Sequence, residues 1–304
     1  MRFALIFGSQ GAQRIEHWQQ LVTAPDGMVI QALRKQAPEF ADSIHSDLEL
    51  LFRNHVAQPV IYSYQALLWE QLRTQLPPPV CTAGHSLGEL AACAAAGLFK
   101  VEDGVILAAT RARLMDAHVY EECGMLAVIG LDETLVSELA FAEGLDVAVR
   151  NGPRHMVVTG PVADIATAAR RFGNAGARRL IHLAVHVPSH TSRMAEAARL
   201  FKANLERLST GQLSFPVFSA IDGIPARSST TAIDALARQI ATPLDWDNCL
   251  RAVIEMKPDM VLEIGPGDTS VRLLSHIAPE IPARSSDDFR TARGMINWIL
   301  GHRT

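Results

Sequence analysis

A serine between two glycines is the feature of this sequence that most directly suggests chemistry. Residues 84–88 read Gly-His-Ser-Leu-Gly, with an apolar segment before them and an alanine-rich helical segment after them. The pattern predicts a nucleophile elbow, a tight strand-to-helix turn that exposes the serine hydroxyl. Glycine is needed at both ends because a Cβ there would collide with the crossing strand and helix. We therefore predict that Ser86 is a nucleophile and that the Leu87 N–H lies where an oxyanion would form.

A serine hydroxyl needs a neighbouring base, and the sequence offers eleven histidines. Most of them lie in segments typical of solvated helices or loops. His85 belongs to the elbow and could pack behind Ser86 or hydrogen-bond to it. His190 is the strongest single candidate, because the run Val-Pro-Ser-His places it in a constrained turn before a predicted helix. The residues alone leave the choice of base open.

Composition limits the classes of function. The 304 residues are 48% hydrophobic and 20% charged, an ordinary globular balance, and the net charge of −4 argues against nucleic acid as the main partner. No apolar run approaches the ~20 residues of a membrane span, so no membrane partner is expected. The four cysteines lack metal-ligand or disulfide spacing, which predicts no metal site and reduced thiols in the cytoplasm.

Alternating strands and helices around the elbow predict a large α/β domain. Strands are predicted over 3–7, 80–83, 215–220 and 260–263. Helices are predicted over 26–35, 42–52, 58–75, 87–98, 101–118, 191–208, 231–240, 246–255, 269–276 and 287–300. The strands are apolar throughout, which favours a mainly parallel sheet covered on both faces.

The middle of the chain predicts a smaller unit inserted into the larger one. Between residues 122 and 186 the segments follow the order β-α-β-β-α-β, which is that of a ferredoxin-like unit. Asp132 is the predicted N-cap of its first helix. We therefore predict a large domain from 1–121 and 187–304 and a small subdomain from 122–186.

Six motifs together resemble a known family. They read Phe-Gly-Ser-Gln-Gly-Ala-Gln at 7–13, Gly-His-Ser-Leu-Gly-Glu at 84–89, Arg-Ala-Arg-Leu-Met at 111–115, Val-Pro-Ser-His at 187–190, Arg-Gln-Ile-Ala-Thr-Pro at 238–243 and Glu-Ile-Gly-Pro-Gly at 263–267. Over nearly the whole chain the sequence resembles malonyl-CoA:acyl-carrier-protein transacylases, whose acyltransferase fold also occurs in polyketide and fatty acid synthases. The resemblance implies an α/β-hydrolase-like large domain with an inserted ferredoxin-like subdomain.

The resemblance also implies a ping-pong acyl transfer. Ser86 would attack the malonyl-CoA thioester, and His190 would take its proton and later pass it to the CoA thiol. A backbone carbonyl near Gln239 would orient His190. The N–H groups of Gln10 and Leu87 would form the oxyanion hole, where losing one donor typically costs ~3 kcal/mol. The malonyl group would then pass to the phosphopantetheine-type thiol of an acyl carrier protein.

Arg111 would decide which acyl group enters. Helical arginines usually lie on a solvated face, but the resemblance gives Arg111 the malonyl carboxylate. A guanidinium offers the planar pair of donors that a free carboxylate fits, so malonyl would bind and acetyl would leave the arginine unpaired. Malonyl-CoA is thus expected as a substrate, with no permanently bound cofactor.

Three positions depart from the family pattern or leave it ambiguous. Ser9 stands where the family usually has glycine, which affects the loop of the oxyanion hole, and Thr242 stands where asparagine is common. Ser189 occurs before the histidine in both malonyl- and methylmalonyl-selective members, so it does not settle the preferred extender unit.

Carrier proteins are acidic, so the enzyme needs a local basic patch to attract one. The candidate side chains lie on the small subdomain and on the helix after His190. They are Arg170, Arg171, Arg178, Arg179, Arg193, Arg199 and Lys202.

Other functions are compatible with a reactive serine. Within the acyltransferase class the alternatives are a trans-acting polyketide acyltransferase and the malonyl-loading subunit of a malonate decarboxylase. From another class comes a serine hydrolase or thioesterase, against which Arg111 and the Gln10 motif argue. A catalytically silent scaffold would not need these residues intact.

Overall fold

The protein contains two β-sheets, described here from a computed structural model that covers residues 2–42 and 48–301. Eleven strands form within these residues. They are β1 (Phe3–Phe7), β2 (Cys81–Gly84), β3 (Cys123–Ile129), β4 (Asp146–Gly152), β5 (His155–Pro161), β6 (Arg179–Leu183), β7 (Val217–Phe218), β8 (Pro225–Ala226), β9 (Leu244–Asp245), β10 (Met260–Ile264) and β11 (Ala283–Ser285).

Thirteen α-helices form in the same residues. They are α1 (Ile15–Val22), α2 (Met28–Gln36), α3 (Glu39–Asp42), α4 (Asn54–Arg73), α5 (Leu87–Ala95), α6 (Val101–Asp116), α7 (Glu133–Ala142), α8 (Val162–Asn174), α9 (Ala195–Leu205), α10 (Ser229–Arg238), α11 (Trp246–Glu255), α12 (Thr269–Ile277) and α13 (Ala292–Gly301). Short 3-10 helices span Leu48–Phe52, Ser192–Met194 and Ser286–Asp288.

The larger sheet has the order β11-β10-β1-β2-β7-β8. All of its neighbouring strands are parallel except β7 and β8. Along β1, Phe3, Leu5 and Phe7 pack into one apolar core, while Ala4 and Ile6 pack into the other. This alternation confirms a mainly parallel sheet that is covered on both faces, because successive side chains of a strand point to opposite faces.

The smaller sheet has the order β6-β3-β5-β4-β9. Strands β3 to β6 pair antiparallel and, with α7 and α8, follow the predicted β-α-β-β-α-β order. The two helices pack on one face of the sheet around Leu126, Ile165 and Phe172. Strand β9, from much later in the chain, joins β4 in parallel, so this sheet extends beyond the predicted insert. The domain boundaries at 121 and 187 stay a prediction.

Several predicted elements differ from the observed ones near the N-terminus. Helices α1 and α3 were not predicted, and neither were the short strands β8, β9 and β11 later in the chain. The helix predicted from residue 58 begins four residues earlier, with Pro59 inside it. The Asn54 side chain donates to the Ala112 carbonyl, a tertiary contact that holds the additional turn and that local sequence does not reveal. Of the helix predicted over 42–52, residues 43–47 lie outside the described residues.

Later elements are shorter than predicted. The strand expected over 215–220 is reduced to Val217–Phe218, and the helix expected over 191–208 begins with a 3-10 turn. The last helix begins at Ala292 instead of residue 287, because Ser285 caps a separate 3-10 turn by accepting from the Asp287 N–H. These ends are set by capping and pairing partners that are distant in sequence.

In the part of the chain that the structure describes, no helix is long and apolar enough to cross a membrane, and no cluster of three or more potential ligands could hold a metal. The four cysteines are free and buried.

Candidate active site

The nucleophile elbow lies between β2 and α5, next to the end of β1. Ser86 has φ 54° and ψ −112°, a backbone conformation that is strained for a residue with a side chain. A Cβ on Gly84 would overlap the backbone of Gly88 and Glu89, and a Cβ on Gly88 would overlap the carbonyl of Phe7. The two glycines therefore let strand and helix approach closely enough to fix the serine in this turn.

Ser86 and His190 form a hydrogen-bonded pair completed by a backbone carbonyl. The His190 Nε2 lies 2.8 Å from Ser86 Oγ, and His190 Nδ1 lies 2.5 Å from the Gln239 carbonyl oxygen. Because a carbonyl oxygen can only accept, Nδ1 carries the proton and Nε2 is free to accept the serine proton. The Gln239 side chain in turn donates from Nε2 to the Ser86 carbonyl at 2.9 Å, tying this segment to the elbow.

His190 is held in its neutral form. Burial and the nearby charge of Arg111 lower its pKa to about 3. The residue is 3% exposed and has φ 65°, and its backbone N–H donates to the Ile240 carbonyl at 2.8 Å. A neutral imidazole at physiological pH is the form that a general base requires. The Gln239 carbonyl would accept from the imidazolium that forms when Nε2 takes a proton.

Arg111 reaches the nucleophile from helix α6. Its Nη2 donates to Ser86 Oγ at 3.3 Å, and its Nη1 donates to Gln58 Oε1 at 2.8 Å. The side chain is 2% exposed, and burial lowers its pKa to about 10, so it remains charged. Arg111 therefore does not lie on a solvated face, where helical arginines usually lie.

The charge on Arg111 is poorly compensated. Among the described residues it forms no ion pair with a carboxylate, and the acidic group that acts on its pKa is Glu89 on α5. Burial raises the pKa of Glu89 to about 8, so this carboxyl is mostly protonated at neutral pH. A buried guanidinium without a carboxylate is costly unless a ligand supplies one.

Gln10 lies in the turn between β1 and α1, and two glutamine side chains form hydrogen bonds with the backbone of this turn. Gln65 Nε2 donates to the carbonyls of Gly8 at 2.7 Å and Gly265 at 3.0 Å. Gln13 Oε1 accepts from the Gly11 N–H at 2.5 Å. Leu87 is the first residue of α5, where a helix N–H has no partner within the helix. An oxyanion hole formed by the Gln10 and Leu87 amides stays a prediction.

His85 does not hydrogen-bond to Ser86. Its ring packs edge-on against Trp246, with centroids 5.0 Å apart, and burial lowers its pKa to about 4. It therefore supports the elbow from behind, which was one of the two predicted arrangements. Thr242, despite its departure from the family pattern, leaves the contact between the Gln239 carbonyl and His190 intact.

Two functional contacts were missed by sequence reasoning. Gln58, which holds Arg111, was interpreted only as the start of a helix. Gln65, which bridges the Gly8 and Gly265 carbonyls, was not singled out. The available signal was the presence of glutamines inside an otherwise apolar helix, since both are 1% exposed or less.

The chain matches known proteins over most of its length. The family model described as "Acyl transferase domain" matches residues 12–278. A "Malonyl CoA-acyl carrier protein transacylase" of Haemophilus influenzae is 32% identical, and the alignment covers 98% of this chain and 99% of that protein. The "Polyketide biosynthesis protein ThaF" of Burkholderia thailandensis is 34% identical over 80% of this chain, which spans 21% of that longer protein.

The fold matches that of a malonyl-transacylase solved in complex with a type II PKS acyl-carrier protein. The TM-score is 0.86 at 27% sequence identity, with 98% of this chain and 99% of that chain covered. The Haemophilus influenzae relative and this solved structure are thus similar to the chain along almost their entire length.

Proposed function

This chain belongs to the acyl transferase domain family, and from that premise we propose that it transfers a malonyl group from malonyl-CoA to the phosphopantetheine-type thiol of an acyl carrier protein. Ser86 carries the group between the two thiols. Malonyl-CoA is the donor substrate, and the chemistry is completed by side chains and backbone amides of this chain without a permanently bound cofactor.

The observation that carries this proposal is that Ser86 Oγ lies between a base that can accept its proton and a cation that donates a hydrogen bond to it. His190 Nε2 accepts from Oγ at 2.8 Å, and the Arg111 guanidinium donates to it at 3.3 Å. A hydrolase of simple esters needs the first contact but has no use for a buried cation beside its nucleophile. An acyl group that ends in a carboxylate would satisfy both.

The first half-reaction follows from this geometry. Ser86 Oγ attacks the thioester carbon while its proton moves to His190 Nε2, and the negative oxygen is stabilised by the amides of Gln10 and Leu87. Collapse of the intermediate breaks the C–S bond, and His190 returns the proton to the CoA sulfur. The carrier thiol then attacks the ester by the same steps in reverse order, which regenerates the serine.

Substrate binding also strengthens the base. The Arg111 charge is one of the causes that lower the pKa of His190. A malonyl carboxylate paired with Arg111 would offset that charge, so the pKa of His190 would rise toward the range in which a base is effective. A neutral acyl group would leave His190 a weaker base.

The proposal is tested by following the malonyl group to its acceptor. Enzyme, malonyl-CoA and a holo carrier protein are mixed, and the mass of the carrier is compared with that of an apo carrier lacking the thiol arm. We expect malonyl on the holo carrier only. Release of free malonate without carrier loading would instead favour the hydrolase alternative. Carriers from fatty acid and polyketide assembly distinguish the pathway alternatives, and a cytoplasmic location stays a prediction.

The structure narrows the basic patch predicted to attract a carrier. Four of its side chains already form ion pairs with N···O distances below 3.2 Å. They are Arg171, Arg193, Arg199 and Lys202. Of the other three, Arg170 donates to Thr167 Oγ1, and Arg178 and Arg179 are exposed; none of the three has an ion pair among the described residues. Unpaired arginines are more available to an acidic partner.

Reversing the charge of Arg178 and Arg179 together to glutamate is expected to raise the KM for carrier protein about tenfold and leave the KM for malonyl-CoA unchanged. The matched control reverses Lys35 and Arg227, two exposed cations outside the predicted patch, which changes the net charge equally. An equal rise in KM for both double variants would assign the effect to net charge and dismiss this docking site.

A further inference from the structure

Arg193 joins the smaller sheet to the segment that carries His190. It lies in the 3-10 helix that begins two residues after His190. Its Nε donates to Asp146 Oδ2 at 3.2 Å, its Nη1 donates to Glu121 Oε1 at 3.1 Å, and its Nη2 donates to the Gly144 carbonyl at 3.1 Å. All three nitrogens of one guanidinium therefore bind groups that are distant from it in sequence.

The three acceptors place this contact where the chain enters the inserted unit and where β4 begins. Glu121 lies two residues before β3, Gly144 lies in the turn before β4, and Asp146 is the first residue of β4. The Arg193 side chain is 36% exposed, and an isolated ion pair at such a position contributes little to stability. A planar guanidinium that binds two carboxylates and a carbonyl from two segments forms a network, which fixes geometry more strongly than one pair does.

Strand β4 is also paired with the segment that orients the base. Its middle pairs in parallel with β9, which begins at Leu244, five residues after Gln239. The Gln239 carbonyl lies 2.5 Å from His190 Nδ1. At its first residue, Asp146, the same strand contacts Arg193, three residues after His190. One strand of the smaller sheet therefore holds both segments that meet in the contact between His190 and Gln239.

We propose that Arg193 is a positioning residue for the base, because it fixes β4 against the His190 segment and so keeps the imidazole aligned with Ser86 Oγ. This inference rests on the proposed function. His190 has φ 65°, a conformation that persists only where the surrounding structure holds it. A general base must lie within hydrogen-bond reach of the proton that it takes, and small displacements slow the transfer strongly.

A positioning role and a carrier-docking role for Arg193 predict different effects at Asp146. If Arg193 docks the carrier, removing the Asp146 charge makes this surface more positive and favours an acidic partner. If Arg193 positions the base, removing either side chain weakens the same contact. Malonyl loading then slows in both variants, even when no carrier protein is present.

The test measures the single-turnover rate constant of malonyl loading by intact mass, at saturating malonyl-CoA and without carrier protein. Arg193→Gln is expected to lower this rate constant about threefold to tenfold and to leave the half-saturating concentration of malonyl-CoA unchanged. Asp146→Asn keeps the Glu121 contact, so a fall of about twofold to threefold is expected. The double variant should be no slower than Arg193→Gln, because both changes remove one shared interaction.

Arg73→Gln and Glu70→Gln are the matched controls, since their ion pair at 2.6 Å also lies at the surface but within the single helix α4. Neither control should change loading. A merely structural role for Arg193 would lower the fraction of enzyme that loads but not the rate constant of that fraction, and this result overturns the inference. A rise in the KM for carrier protein confined to Arg193→Gln, with loading unchanged, overturns it as well.

The outcome stays decisive if one variant does not fold. If Arg193→Gln is not obtained as folded protein, the loading rate constant of Asp146→Asn decides the question, and an unchanged value overturns the inference. Wild-type enzyme that fails to load malonyl overturns the proposed function itself.

Discussion

Replacing Arg111 with alanine is expected to lower kcat/KM for malonyl loading by about 100- to 1,000-fold. The guanidinium is buried, forms no ion pair among the described residues and donates to Ser86 Oγ, so its carboxylate partner must come from the substrate. Acetyl loading should fall far less or rise, because removing the cation also removes one cause of the low pKa of His190. The measurement is the ratio of initial loading rates for the two CoA esters.

Two further variants make the Arg111 result specific. Arg111→Lys keeps a charge but not the planar pair of donors, so malonyl loading should be intermediate. Arg113→Ala is the matched control on the same helix, where the arginine is exposed and contacts Gln36 and Thr110. Equal losses for malonyl and acetyl in Arg111→Ala would rule out a carboxylate-binding role.

Replacing His190 with alanine is expected to slow loading by about 100- to 10,000-fold, the range over which general bases typically act. Ser86 Oγ would lose the only acceptor within reach that can take its proton among the described residues. The Arg111 contact would persist, so malonyl-CoA should still bind. A large rise in KM without a fall in kcat would contradict the assignment of His190 as the base.

The pH dependence of the wild-type enzyme gives an independent check on His190. Its pKa is lowered to about 3, so the base stays unprotonated as pH falls through the ordinary histidine range. The kcat/KM for loading should therefore remain flat between about pH 7 and 5, below the pKa of Glu89 and above that of His190. The acid limb of kcat should lie at higher pH than that of kcat/KM, because bound malonyl offsets the Arg111 charge. An acid limb of kcat/KM near the ordinary histidine pKa would contradict this account.

The sequence was sufficient to predict the parts of the site that are encoded locally. The Gly-His-Ser-Leu-Gly segment specifies the elbow because its two glycines are needed at the close approach of β1, β2 and α5. The run before His190 places that residue in a turn after the inserted unit. The β-α-β-β-α-β order of the strands and helices in the inserted unit also follows from local patterns of apolar residues.

The remaining parts of the site depend on contacts between segments far apart in the chain. Gln58 and Arg111 are separated by 53 positions, and Asn54 and Asp116 by 62, so no local pattern pairs them. The early start of α4 before Pro59 depends on the same Asn54 contact. Strand β9 is only two residues long and is defined by pairing with β4, which a search for apolar runs does not detect.

The most direct test of the central claim is the mass of the intact enzyme after incubation with malonyl-CoA. We expect wild-type protein to gain one malonyl group, to lose it when holo carrier protein is added, and to retain it when apo carrier is added. Ser86→Ala should gain nothing under the same conditions, since the hydroxyl that His190 and Arg111 contact is absent. A malonyl mass increase that persists in Ser86→Ala would show that another residue carries the acyl group and would contradict the account.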